Sequence, residues 1–346
     1  MTATTAPTGH AHGHHHDKPS NPVLDNKEPE TAYRLHRRFD RLGRLLGDGA
    51  VARLMSSKVV VFGVGGVGSF AAESLGRSAI GHVMLVDFDD VCVTNANRQL
   101  PALQGNIGKP KVWIMRDRLR LINPQAKIES RRAFYNAVRA DELLTPPKEW
   151  NLDGGEGGYD FVIDAIDNMT AKAHLLAECR RRGIKVVSSM GAAGKLDPTA
   201  LRTADLSEAT VCPLARELRS ILRKKHGFPL EGSMGVPVVF STEHRHWPKA
   251  LTYDHGEGFS CVCPKGDEDV AAVRENEHAC DEKALIDGTV SYVTGAFGLG
   301  CASVVVNTLT DVIREHAEPA KSKFDQKKKK PDNTIGIEAA VTGETP

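Results

Sequence analysis

Aromatic residues make up only 5% of this 346-residue chain, and no motif for stacking single-stranded bases stands out. Net charge is nearly absent. The 45 Lys and Arg residues balance 44 Asp and Glu residues, which excludes a histone-like basic protein and an acidic disordered one but leaves a local basic patch open. The seven cysteines are odd in number and lack both the regular spacing of a disulfide framework and the paired C-x-x-C knuckles of structural zinc. They fit a reducing compartment. The first thirty residues contain no apolar stretch and no arginine, against a secretory signal and a mitochondrial presequence respectively. No internal repeat is visible. What remains is a soluble intracellular chain of one or two domains.

Residues 1–31 contain Pro7, Pro19, Pro22, Pro29 and the run His10, His12, His14, His15 and His16. This composition predicts a disordered tail, with adventitious metal binding as the alternative. The run Lys327–Lys330 ahead of Pro331 predicts a second mobile tail over 319–346. Ordered structure is expected over 32–318.

Within that span, Lys58-Val-Val-Val-Phe-Gly63 is an apolar run of the buried-strand kind. A glycine turn, a helical pattern over Ser69–Ser78 and a second run, His82–Asp87, complete a right-handed βαβ unit. Further helices are expected over 108–122, Asn136–Leu144 and Thr170–Arg182, with strands at Lys127–Ser130, Tyr159–Asp164 and Ile184–Ser188. This alternation predicts an α/β fold, a mainly parallel sheet with flanking helices on both faces. Beyond residue 195 prolines interrupt the pattern; Val236–Ser241 reads as a strand added to the same sheet, and 247–285 as mostly loop. Thr289–Thr310 has no charged residue and is long enough to span a bilayer, yet its Thr, Ser, Asn and Gly content favours a buried helix.

Gly63, Gly65 and Gly68 form G-x-G-x-x-G between a strand and a helix, and Asp87 ends the next strand nineteen residues beyond Gly68. Backbone amides of such a turn face phosphate, and the carboxylate accepts from ribose hydroxyls. The pattern alone does not choose between a dinucleotide and ATP. Asn95, Arg98 and Lys111 do more: hydride transfer has no use for them, whereas an adenylating site uses cations to offset charge as pyrophosphate leaves. Asp164 and Asp167 sit where ligands of parallel sheets collect, so one of them is a magnesium candidate.

Four segments carry a resemblance: Val61–Gly68, Asp87-Phe-Asp-Asp-Val-Cys-Val-Thr-Asn-Ala-Asn-Arg-Gln99, Val162-Ile-Asp-Ala-Ile-Asp-Asn168 and Asp197-Pro-Thr199. Phe240–Glu243 and the residues around Val293–Phe297 extend it. Together they resemble the adenylating enzymes of the ThiF/MoeB group, relatives of ubiquitin-activating enzymes, and more closely the tRNA threonylcarbamoyladenosine dehydratases. The resemblance implies a Rossmann-like, ubiquitin-activating-enzyme-like catalytic domain over 32–318. It also implies ATP-dependent dehydration of threonylcarbamoyladenosine in tRNA to its cyclic form, through carboxylate adenylation. Carried over by position, Gly63, Gly65 and Gly68 hold phosphate and Asp87 holds ribose. Asn95, Arg98 and Lys111 surround the phosphates, Asp167 binds Mg2+, and Arg44 reaches the ATP of the other protomer of a homodimer. A cysteine desulfurase or sulfur acceptor is a further partner so implied. Expected localisation is cytoplasmic, or the mitochondrial outer membrane in a eukaryote.

The alternative activity is adenylation of the C-terminus of a ubiquitin-like or sulfur-carrier protein, which the missing C-x-x-C pairs disfavour. Cys261, Cys263, Cys280 and Cys301 are expected to be free thiols, and Cys212 is the candidate exposed nucleophile, although internal cyclisation needs no enzyme thioester. Arg180, Arg181 and Arg182, with Arg216, Arg219, Arg223, Lys224 and Lys225, are the candidate contacts to tRNA phosphates.

Overall fold

The computed structural model describes residues 32–151, 157–251 and 287–314. Both expected tails and the segments 152–156 and 252–286, the latter with Cys261, Cys263 and Cys280, lie outside the described residues.

The chain opens with helices α1 (Ala32–Leu46) and α2 (Asp48–Ser56), then strand β1 (Lys58–Phe62), helix α3 (Gly68–Arg77) and strand β2 (His82–Asp87). Helix α4 (Lys111–Ile122), strand β3 (Lys127–Arg132), the short helix α5 (Ala140–Leu143) and strand β4 (Phe161–Asp164) follow. Helix α6 (Met169–Arg182), strands β5 (Lys185–Ser189) and β6 (Leu201–Asp205), helix α7 (Pro213–His226), strand β7 (Pro237–Ser241) and helix α8 (Ser291–Arg314) complete it. One seven-stranded sheet runs β3-β2-β1-β4-β5-β7-β6, parallel throughout except for the antiparallel β6–β7 pair.

The continuous apolar runs follow from burial on both faces. Along β1, Val59 and Val61 point into one core with α3, α4 and α8, while Val60 and Phe62 point into the other with α6 and α7. Strands β2 and β3 extend from one side of β1, and the chain then returns to place β4 on the other side. The carboxyl ends of β1 and β4 therefore flank the switch point, where the loops diverge and leave a crevice.

Helix α6 shows complete local signals: Asn168 Oδ1 accepts from Ala171 N at 2.9 Å, and Gly183 ends the helix at φ +66°. Asn136–Leu144 is not a continuous helix. Asn136 Oδ1 accepts from Arg139 N at 3.0 Å, closing a side-chain turn that competes with helix formation, and only Ala140–Leu143 is helical. Two features lacked a clear sequence signal. Helices α1 and α2 are broken at Gly47 (φ +85°), and the edge strand β6 has no apolar run because much of it faces solvent.

The uncharged segment near the C-terminus is the helix α8. Val293, Phe297, Cys301, Ala302 and Val305 are buried, and a Cβ at Gly298 would fall 2.3 Å from Val67 O and 2.9 Å from Ala71 N. Glycine there lets α8 press directly on the start of α3.

Candidate active site

The glycine turn begins where β1 ends. Gly63 has φ +83°, and a Cβ there would lie 2.6 Å from Ala165 O. A Cβ on Gly68 would lie 1.7 Å from Gly63 O. Both glycines are required by backbone crossing backbone. Gly65 differs: the nearest atom to its added Cβ is Gln99 Nε2 at 3.6 Å, an ordinary contact. Packing therefore explains Gly63 and Gly68 but not Gly65, whose bare backbone lies at the amino end of α3, where amide groups and the helix dipole favour an anion.

Asp87 closes the next strand, is only 8% exposed, and uses both oxygens to hold backbone. Its Oδ2 accepts from Val64 N at 2.6 Å and its Oδ1 from Asp89 N at 2.8 Å. Burial raises its pKa to about 6, against the pull of Lys111 and with a further push from Asp89. The loop after β2 returns through a short ladder, in which Lys111 N donates to Asp89 O at 3.1 Å and Gly108 N to Val91 O at 2.8 Å. That ladder brings Lys111, the first residue of α4, back beside the strand end. Its ammonium, 4% exposed, donates to Asp89 Oδ2 at 2.7 Å. Burial opposes its charge, but Asp89, Asp87 and Asp167 outweigh burial and hold its pKa above the usual value. The three carboxylates thus favour the charged form of Lys111.

Two further cradle residues sit on the same loop. Asn95 Oδ1 accepts from Cys92 N at 3.1 Å, so its amide oxygen closes the turn over Val93–Asn95. Arg98 Nη1 donates to Thr94 O at 2.7 Å and Asn97 Oδ1 at 3.0 Å. Burial lowers the Arg98 pKa, against Cys92. Arg44 stands apart on α1, 68% exposed, with its Nε 3.0 Å from Asp40 Oδ2.

The turn after β4 separates the two candidate metal carboxylates. Asp164 has no exposed surface and is held by Lys172, Ser188 and the Ile166 amide. Asp167, three residues on, is exposed and close enough to Lys111 to act on it electrostatically. Among the described residues no group of three His, Cys, Asp or Glu side chains forms a metal cage. A single exposed carboxylate fits magnesium, which is ordinarily carried by nucleotide phosphates and water with one or two protein ligands.

Residues 39–338 match the ThiF family. This chain belongs to the ThiF family. The chain is 40% identical over 268 residues to the tRNA threonylcarbamoyladenosine dehydratase of Escherichia coli, covering 77% of this chain and 91% of the relative. It is 42% identical over 214 residues to the Haemophilus influenzae protein of the same description, covering 61% of this chain and 78% of the relative. The crystal structure of the E. coli tRNA N6-threonylcarbamoyladenosine dehydratase, TcdA, in complex with ATP superposes with a TM-score of 0.65 at 32% identity, covering 82% of this chain and 97% of that one.

In this ThiF-family chain the structure brings Gly63, Gly65, Gly68, Asp87, Lys111 and Asp167 to one crevice and places Asn95 and Arg98 on its loop. Arg44 makes no described contact with them. Cys212 is not an exposed nucleophile: it is 5% exposed because it precedes α7, where its neighbour Ala215 packs into the core. Cys301 is a free thiol, and burial pushes its pKa up to about 12. Several of the basic residues expected on tRNA are bound within the fold. Arg219 donates to Leu206 O and Ala209 O, Arg223 to Pro229 O, and Arg181 and Arg182 pair with Glu178. Arg216, Lys224 and Lys225 remain exposed along α7.

Asp89, the partner of Lys111, and Arg132, which binds Asp90 through two contacts of 2.8 and 2.9 Å, were not singled out as site residues. Neither was Lys172. A signal for Lys172 existed in its place among Ala171, Ala173, Leu175 and Leu176 on α6, where a charge on the buried face demands a partner.

Proposed function

We propose that this protein uses ATP to adenylate the carboxylate of threonylcarbamoyladenosine in tRNA and then closes that side chain into its cyclic form. The observation that carries the reading is the convergence at the sheet switch point of an open glycine turn, the buried Lys111 and the exposed carboxylate of Asp167. Relatives covered over most of their length are tRNA threonylcarbamoyladenosine dehydratases, and one of them is solved with ATP.

In this reading the amides around Gly65 receive phosphate and Asp87 accepts from ribose hydroxyls. A substrate carboxylate oxygen attacks the α-phosphorus, and the bond to the β-phosphate oxygen breaks to release pyrophosphate. Lys111 and Arg98 offset the charge that develops on the leaving group, and Asn95 keeps the loop beneath them in shape. The carbamoyl nitrogen attached to the adenine ring then attacks the acyl carbon and closes the ring. AMP departs with the acyl oxygen, the nitrogen releases its proton to solvent, and the nucleoside has lost one water overall. Asp167 would hold magnesium, which would supply further neutralisation of charge on the leaving pyrophosphate.

A homodimer with Arg44 crossing to the neighbouring site completes the reading. Its support is the groove beside that arginine: α1, α3 and α8 line it with Leu42, Leu45, Leu299 and Val306 together with the polar Ser74, Ser303 and Asn307, and Leu45 is 78% exposed.

Nucleoside mass spectrometry after mixing the protein with ATP, magnesium and tRNA bearing threonylcarbamoyladenosine tests the proposal. The expected result is loss of one water from that nucleoside, with AMP and pyrophosphate formed. An unchanged nucleoside, with adenylation of a small carrier protein instead, would transfer the assignment to carrier activation.

A further inference from the structure

Inside the sheet, beneath the crevice, lies an ion pair with no solvent contact. Lys172 Nζ donates to Asp164 Oδ2 at 2.7 Å and to Ser188 Oγ at 3.2 Å, and Ser188 Oγ donates to the same carboxylate oxygen at 2.6 Å. All three residues are completely buried. Such a pair is poor at stabilising a fold, because apolar side chains of similar size hold a core as well without the cost of desolvating two charges. What it supplies is direction. The other Asp164 oxygen, Oδ1, accepts from Ile166 N at 3.1 Å, so the carboxylate held from below by Lys172 and Ser188 grips the turn above it.

That turn is part of the site. Ala165 N donates to Phe62 O at 2.8 Å, joining it to the end of β1, and Ala165 O forms the wall that excludes a side chain from Gly63. Asp167 is the next residue but one. A single buried contact set thus spans α6, β4 and β5 and ends on the segment that shapes the glycine turn and carries the exposed carboxylate.

We propose that the Asp164–Lys172 pair, with Ser188, is a positioning device for ATP activation: it fixes the turn 165–167 against Gly63 and so places Asp167 relative to the bound phosphates. The inference rests on the adenylation reading. Neither Asp164 nor Lys172 touches the reacting atoms, and their effect passes entirely through the turn.

The test replaces the pair by apolar residues in the full chain, Asp164→Leu with Lys172→Met, so that no charge is left unpaired. Melting temperature should stay within about 5 °C of the parent, and tRNA affinity within about twofold. Hydrogen–deuterium exchange over 165–168 should quicken, and kcat for AMP formation should fall at least about tenfold. A stable double variant with a smaller fall, or with unchanged exchange, overturns the proposal. If the double variant does not fold, Ser188→Ala decides. Loss of that one donor should quicken exchange in the turn and lower kcat by about two- to fivefold, and no change in either overturns it. Parent protein that forms no AMP with its tRNA would defeat the adenylation reading, whereas an active parent matched by its variants would defeat only the positioning role.

Discussion

Asp87 ends β2 and is buried, whereas Asp167 lies in the turn after β4 and is exposed. Folding raises Asp87 from its ordinary 3.8 to about 6 through burial, so the folded protein binds that proton more tightly than the unfolded chain does. Its contribution to stability is complete below pH 3.8 and is lost as pH rises through about 6. Ribose binding runs the other way, since the ionised carboxylate is the better acceptor. Adenosine, whose own groups do not titrate near this range, should bind up to about tenfold more weakly at pH 5 than at pH 8, and Asp87→Asn should flatten that profile; calorimetry across pH 5–8 checks it. For Asp167→Ala we expect AMP formation to fall by about two orders of magnitude. Binding of tRNA should be nearly unchanged. Normal cyclisation throughout a magnesium titration would remove Asp167 from the site.

Among the elements, α8 links the core to the site. A Cβ at Gly298 would approach not only Val67 O and Ala71 N but also Phe70 Cβ, at 2.9 Å. Val67 immediately precedes α3, so pushing α8 outward also tilts the amino end of the phosphate-binding helix. Gly298→Ala should cost about 1–3 kcal/mol in urea unfolding and weaken ATP binding in parallel. Gly300→Ala is a useful contrast, since the atom it meets is Val239 Cγ1 at 3.1 Å, in a side chain and away from α3. Loss of stability without loss of ATP affinity in Gly298→Ala would show that α3 holds its place without α8. By length and composition alone α8 also passes for a membrane span, but one face of it is the packing surface for α3, β5 and β7.

At the scale of the whole molecule, Arg44 is paired with Asp40 on the surface, beside the apolar and exposed Leu45. A guanidinium delivered by a second copy would complete the cationic set around the phosphates. Arg44→Ala and Asp167→Ala, each inactive alone, should recover activity when mixed. In half-crossed dimers one site then keeps Arg44 from one chain and Asp167 from the other, for up to about one quarter of parental activity at statistical exchange. Native mass spectrometry establishes the mixed dimer, and no recovery in its presence would leave Arg44 a local surface cation.

The chain's order of strands and helices was legible in its sequence because a strand buried on both faces must be continuously apolar and a helix over it must not be. Val59–Phe62 was readable for that reason, and the glycine turn and Asp87 through their spacing. The uncharged stretch Thr289–Thr310 was legible too, and it forms most of α8. Tertiary structure alone decided how the glycines divide, Gly63 and Gly68 serving backbone crossings and Gly65 lying open, because the atoms they meet are contributed by Ala165 and by the turn itself. It buried Asp164 against Lys172 and Ser188 and left Asp167 exposed, although the two share a motif. It also moved Cys212 into the core, bound Arg219 and Arg223 to carbonyls, and buried Lys172 beside a carboxylate on the neighbouring strand. Each outcome depends on a partner distant in sequence or on the burial of a short segment, and periodicity along the chain carries no record of either.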